Sequence, residues 1–560
     1  MRKFTGYLTC LVLIVFIGCQ EPPKFDILIK NATIYDGTGN PPTTGIIGIN
    51  ADTIAAIGSI EASGTTEVDA AGMAVSPGFV NMLSWSTQSL LIDGRSMGEI
   101  KQGVTLEVMG EGFSMGPINE SMKQEIIDDQ DPDASFDVDW TSLGEYLQSL
   151  ENRGVSTNVA SFVGATSLRV HEIGYEDRPP TDEELDRMRE LAKQAMEEGA
   201  MGIGSSLIYA PAFYASTEEL IELCKAAAEY NGMYITHMRS EGNRLLEAVD
   251  ETIQIASEAG LPAEIYHLKA AGKKNWHKMD SVIEKIENAR DEGIRITTDM
   301  YNYTAGSTGL DAAMPPWAQE GGYEMWKSRL EDPVTRAKIK EEMQLDAQDW
   351  ENLHVAAGSS ENVLLVGFKN DSLRELYQGK NLAEAAEIHG KDAFDTAMDL
   401  VIHDGTRVQV VYFLMSEENV KKQIALPYMS FDSDAASMAA EGVFLKRSTH
   451  PRAYGNFARL LGKYVREEKV ISLEEAIRKL TSLPVSNLGI KKRGLLKEGY
   501  FADIVIFDPN SIKDNATYEE PHQYASGVMH VFVNGSQVLK NGEHTGAKPG
   551  RFVKGPGFKK

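Results

Sequence analysis

Five residues of this chain could do metal and acid–base chemistry together: Glu111, His237, His267, Asp299 and Asp434. Each follows a short β-rich run: VTLEVMG before Glu111, MYIT before His237, AEIY before His267, IRITT before Asp299 and YMSFDS before Asp434. One such ending means little, because a lone histidine after a strand is more often a hydrogen-bonded structural residue. Five in one parallel barrel mean more, since the strand C-termini of a barrel share one mouth. Two neutral imidazoles and one carboxylate suit Zn²⁺ with its fourth position open. The open position can hold a water whose pKa the ion lowers. An unliganded carboxylate nearby can then carry the proton, and Asp434 is the candidate for that role.

The elements that must position these residues are legible as a pattern. Eight β-rich runs alternate with helical stretches: VSPGFVNML, VTLEVMG, TNVASFVG, AMGIGSSL, MYITH, AEIYH, IRITTDM and YMSFDS. Alternation of this kind argues for parallel βα units, and eight of them make a TIM barrel. The helices TDEELDRMRELAKQAMEEG and NRLLEAVDETIQIASEAG carry polar faces suited to the outside. About residues 310–415 lie between the seventh and eighth runs and read as an insertion beside the site, in which VLLVGF and VQVVYF could be further strands. Residues 24–75 and 500–540 are β-rich and broken by Gly, Asn and Pro, so both chain ends read as pieces of one small β domain. The expectation is an α/β protein. A (β/α)8 TIM barrel spans 76–484 with its insertion between strands 7 and 8. A small β-sandwich is built from 24–75 and 485–552.

Composition narrows the partners. The chain has 560 residues, 42% hydrophobic and 24% charged, a globular balance. Its formal charge of −27 would repel phosphate backbones, so no nucleic-acid partner is expected. Cys10, Cys19 and Cys224 are too few for a disulfide framework. Cys224, in TEELIELCKAAAEY, reads as a small core residue. Residues 1–18 have a basic start, Arg2 and Lys3, then an apolar run from Leu8 to Ile17 that is short for a bilayer and suits a signal peptide. Phe16-Ile17-Gly18-Cys19 resembles a bacterial lipobox, with Phe16 where Leu is more usual. Cys19 would then be lipidated, anchoring an exported protein to a membrane; a plain signal peptide or anchor is the alternative. Loss of residues 1–18 removes Arg2 and Lys3 and no acids, taking the charge from −27 to −29.

From about residue 26 to 552 the chain resembles the N-acyl-D-amino-acid deacylases (D-aminoacylases) of the amidohydrolase superfamily. The segments that carry the resemblance are THMRSEGNRLLEAVDE (236–251), EIYHLKAAGKKNW (264–276), DMYNYTAGSTGL (299–310), STHPRAYGNFARLLGKYVRE (448–467) and EEAIRKLTSLPVSNLGIKKRG (474–494). GYFADIVIFDP (499–509) and DNATYEEPHQYASGV (514–528) add to it. The resemblance implies zinc on His237 and His267, with Glu111 standing where the family has a cysteine, in Met109-Gly110-Glu111-Gly112-Phe113-Ser114. A carboxylate can take that place, changing softness and charge. The implied reaction is hydrolysis of the amide of an N-acyl-D-amino acid with one Zn²⁺ per chain. Asp434 is implied as the catalytic acid–base, with Asp432 on the same strand face as the alternative.

Three departures accompany the match. Leu83 and Trp85 replace the family's His-x-His, with Asn81 in place of the preceding Asp, so a second, weaker metal position is not expected. Ala165 stands where the family commonly has His, and Ala435 follows Asp434 where it has Gly. His450 is the only other histidine near the mouth. By resemblance, Lys269, Tyr301 and Ser307 read the substrate carboxylate, a cation and two hydroxyls suited to it. Tyr209 is placed to stabilise an oxyanion. Arg239 and Arg452 are family cations without an assigned role. The rival readings are another amidohydrolase activity, on D-dipeptides or cyclic amides, and a non-catalytic binding lipoprotein with a degenerate metal site.

Overall fold

Hydrogen bonding among the short β-rich runs joins eight segments in one parallel circuit. In the computed structural model, which describes residues 22–559, Phe79–Asn81 pairs with Val104–Met109, and that strand with Asn158–Ser161. The run continues as Val163–Gly164, which pairs with Gly202–Ser206. Met233–His237, Ala263–Ile265 and Ile296–Thr298 follow in order, all parallel. Residues 428–435 close the circuit. Thr298 bridges Met429 on one side, Ser84 bridges Ala435 on the other, and Asp434 donates its backbone N–H to Leu83 O at 3.0 Å.

The intervening helices obey local rules. Asp182–Glu198 starts at a capping box, Thr181 with Glu184, and stops at Gly199, whose φ of 114° ends the helix. Leu245–Ala259 stops at Gly260 in the left-handed conformation. Thr217–Ala228 starts at Ser216, whose side chain accepts from Glu219 N, and buries Cys224 in the main core. Burial raises that thiol's pKa, so it stays protonated and inert.

Residues 305–415 form a separate lobe. Ala305–Gly309 pairs antiparallel with Gln409–Phe413, and Gln409–Phe413 with Val363–Gly367. The VLLVGF and VQVVYF runs are therefore strands of this lobe, outside the parallel circuit. Its own core holds Trp326, Phe368 and Tyr412. The chain ends meet in a single nine-stranded sheet. Ala74–Pro77 pairs with both Lys24–Ile34 and Ile504–Phe507, which ties start to finish. Among the described residues no helix is long and apolar enough to cross a membrane. Residues 1–18 and Cys19 lie outside the described residues.

Candidate active site

Two glycines aim Glu111. Gly110 has φ 105° and Gly112 φ 69°, and a Cβ would meet Phe162 O at 2.3 Å or Ser206 Cβ at 2.5 Å. No other residue fits either position, so the backbone turns sharply after Val104–Met109 and swings the Glu111 carboxylate inward. His237 ends its strand. His267 follows Ala263–Ile265 with φ 34°, and Asp434 has φ 42°. Both are strained conformations of the kind found at functional sites. The Asp299 carboxylate accepts from the His267 backbone N–H and helps hold that turn.

Glu111, His237 and His267 bring one ligand atom each within 4.8 Å of one another, and all three are buried. Glu111 Oε1 lies 3.1 Å from both His237 Nδ1 and His267 Nε2. The rings are 4.6 Å apart and nearly perpendicular. Burial works against the Glu111 anion, yet the two imidazoles hold its carboxyl far below the ordinary range. His267 is pushed up to about 10 against burial and Lys269, by the carboxylates of Glu241 and Glu111 at its two nitrogens. Two histidines and an acid kept ionised in a buried corner are a donor set that fits a divalent cation.

Around this corner the structure gathers most of the residues singled out in the sequence. One cavity of about 360 Å³ is lined by Glu111, His237, His267, Lys269, Tyr301, Ser307, Tyr209 and Asp434. Asp434 is reached by Trp85 Nε1 at 3.1 Å and by Arg452 Nη1 at 2.8 Å. Burial lifts its carboxyl above the ordinary range against the pull of Arg452. Asp432 points below the cavity floor, and burial pushes its carboxyl up to about 7. Tyr209 packs edge-on to His237, centroids 5.3 Å apart. Lys269 is matched by Glu241 Oε1 at 2.6 Å, and Ser307 Oγ donates to Val410 O at 3.0 Å.

The other named residues make scaffold contacts, although His450 also lines the cavity. His450 bonds Ala305 O at 3.0 Å and accepts from the Arg452 N–H at 3.0 Å. Arg239 pairs with Glu251 and the carbonyls of Phe213 and Ala215. Asn81 donates to Glu99 and Ser433, tying the first segment of the circuit to the last. Leu83 is core and Ala165 opens a buried helix.

Sequence reasoning missed Glu241, Asp311 and Arg407 here and left Arg452 without a role. Glu241 lies 3.1 Å from His267 Nδ1 and 2.6 Å from Lys269 Nζ, which is itself 2.7 Å from that nitrogen, so the Glu241–Lys269 pair backs the ring; its signal was an acid four residues after His237 in the same loop. Arg452 stacks 4.3 Å over Tyr301, with its Nε unpartnered among the described residues. Asp311 and Arg407 meet at 2.9 Å on the lobe side, where the sequence offered no signal.

The Amidohydrolase family pattern matches residues 444–539. The D-aminoacylase of Alcaligenes xylosoxydans xylosoxydans is 32% identical over 539 residues, 95% of this chain and 98% of that protein. The N-acyl-D-aspartate deacylase of the same organism is 29% identical over 95% of this chain and 96% of its own length. A D-aminoacylase crystal structure superposes with a TM-score of 0.78 at 31% identity, covering 95% of this chain and 100% of that one. The N-acyl-D-glutamate deacylase from Bordetella bronchiseptica, complexed with zinc and a phosphonate mimic of the tetrahedral intermediate, superposes at 0.77 with 26% identity and the same coverage. These relatives are hydrolases, and homologous structures carry metal ions. With similarity over nearly the full length of both chains, this chain belongs to the D-aminoacylase (N-acyl-D-amino-acid deacylase) family of amidohydrolases.

Proposed function

We propose that this protein hydrolyses the amide bond of N-acyl-D-amino acids with a single Zn²⁺, giving a carboxylate and a free D-amino acid. The convergence of Glu111, His237 and His267 beside Asp434 in one cavity carries the reading. The zinc and phosphonate of the N-acyl-D-glutamate deacylase complex support it. Glu111, His237 and His267 would hold the ion, and Glu241 would fix His267 through Nδ1. The ion supplies Lewis acidity toward the scissile carbonyl and the attacking water. Asp434 accepts the proton of that water and delivers it to the leaving nitrogen. Tyr209, beside His237, donates to the oxygen on which charge develops. Arg452, with Lys269, Tyr301 and Ser307, receives the substrate carboxylate.

Charge selects the substrate. The cavity is lined by four carboxylates (Glu111, Glu241, Asp311, Asp434) and three cations (Lys269, Arg407, Arg452). One divalent ion turns that balance to a single positive charge, which suits a substrate with one carboxylate. Arg407 is matched by Asp311 and lies 4.9 Å over the Tyr209 ring, so the side-chain end favours uncharged D-residues. The wider reading is a (β/α)8 barrel over 76–484, supported by the closed parallel circuit, beside a small β-sandwich from both ends. It includes export and anchoring through Cys19.

The test is a panel of N-acetyl-D-, N-acetyl-L- and dipeptide substrates with zinc counted on the same purified protein. About one zinc per chain and turnover confined to N-acetyl-D-amino acids are expected. No zinc after supplementation, or preference for L or dipeptide substrates, refutes the reading.

A further inference from the structure

Only one oxygen of Glu111 faces the histidines. Oε2 points away and accepts from Trp85 Nε1 at 3.1 Å. The same indole N–H lies 3.1 Å from Asp434 Oδ1. One donor thus spans two carboxylates from opposite sides of the site. Trp85 is fixed at both ends. Its backbone N–H donates to Ala435 O at 3.0 Å, and its ring packs against the buried cluster containing Val80, Leu83 and Leu106.

We infer that Trp85 fills the place a second cation would need, and that it holds the Asp434 carboxylate in position for proton transfer; this rests on the single-zinc hydrolase reading. Two facing carboxylate oxygens repel one another unless something positive lies between them. A metal ion is one solution and a shared N–H is another. The indole nitrogen donates and has no lone pair for a metal, so Trp85 satisfies both oxygens and ligates nothing. An ion entering between Glu111 Oε2 and Asp434 Oδ1 would have to displace the partly buried indole from its packing against that cluster. Trp85 is therefore a positioning residue that acts through Asp434.

The full-length protein is equilibrated with a large excess of zinc, freed of unbound ion, and its zinc counted by elemental analysis. One zinc per chain is expected for the wild type, and two per chain with turnover intact overturn the inference alone. A wild type with neither zinc nor turnover takes down the hydrolase reading and this inference with it. Trp85→Phe keeps most of the packing and removes the N–H. It should keep one zinc and a KM within about threefold, while kcat falls roughly 10- to 100-fold, the value of a hydrogen bond to a charged group. An unchanged kcat, or a matched change in KM, overturns the positioning role. Leu83→His/Trp85→His should take up a second zinc, and a folded double variant that stays at one counts against the inference.

Discussion

The mouth and the floor of the barrel hold the same residue types in opposite states. At the mouth, Glu111 and Glu241 are buried, yet their carboxyls lie far below the ordinary range because His237, His267 and Lys269 face them. On the floor, Glu264, Asp299 and Asp432 are equally buried, none of them is ion-paired among the described residues, and burial raises their carboxyls. Asp299 Oδ2 and both Asp432 oxygens have no hydrogen-bond partner among the described residues. Burial alone drives a carboxyl toward its neutral form; facing cations oppose that, and they prevail at Glu111 and Glu241 but not at Asp434, where burial outweighs the pull of Arg452. The mouth is thus built to hold positive charge, and the floor to hold protons.

The largest test of that contrast pairs two aspartates on one strand. Asp434→Asn should lower kcat by about 10³- to 10⁴-fold with zinc retained, whereas Asp432→Asn should stay within a few-fold of wild type. Comparable losses in the two variants would erase the distinction. Glu241→Gln comes next. It removes the carboxylate behind His267, and zinc affinity measured by chelator competition should weaken roughly 10- to 100-fold. An unaltered affinity would leave Glu241 as a partner of Lys269 only.

A smaller effect is expected where the lobe meets the mouth. Asp311→Asn leaves Arg407 unmatched, so kcat/KM for N-acetyl-D-glutamate relative to N-acetyl-D-leucine should rise about tenfold. No change in that ratio would remove Arg407 from the side-chain pocket. The smallest is thermodynamic. The unfolded chain releases the Asp432 proton near pH 4, about the ordinary value, and the folded chain only at about 7. Between those values the folded state binds the extra proton, so this group's stabilising contribution is lost as pH rises. The Tm of Asp432→Asn relative to wild type should therefore increase by about 2 °C from about pH 5 to about pH 7.5. A parallel pair of curves would show that Asp432 titrates alike in both states.

Much of the site was legible because its residues announce themselves. His237 and His267 end strands at matching places in a repeating pattern, and a glycine-flanked acid after a strand points to a constrained turn. The helices were legible for a similar reason: Thr181 and Glu184, or Gly199 and Gly260, are local signals read within a few residues. The antiparallel order of the 305–415 lobe was not legible, because a short apolar run does not state its partner. Nor were the pairings of Arg407 with Asp311 and Lys269 with Glu241, since charge type in a sequence says nothing of which opposite charge lies 3 Å away.

The amino-acid sequence by itself determined the donor set: a glutamate, two histidines and an aspartate, each placed after a run that favours a strand. It also determined what is missing, since neither Leu83 nor Trp85 can ligate a metal. Only the tertiary structure decided ionisation and geometry. Whether a buried acid is charged depends on what faces it across the barrel, and those neighbours come from segments hundreds of residues apart. Asp432 and Asp434 differ by two positions in the chain, but one meets Asp299 beneath the floor and the other meets Arg452 and Trp85 in the cavity.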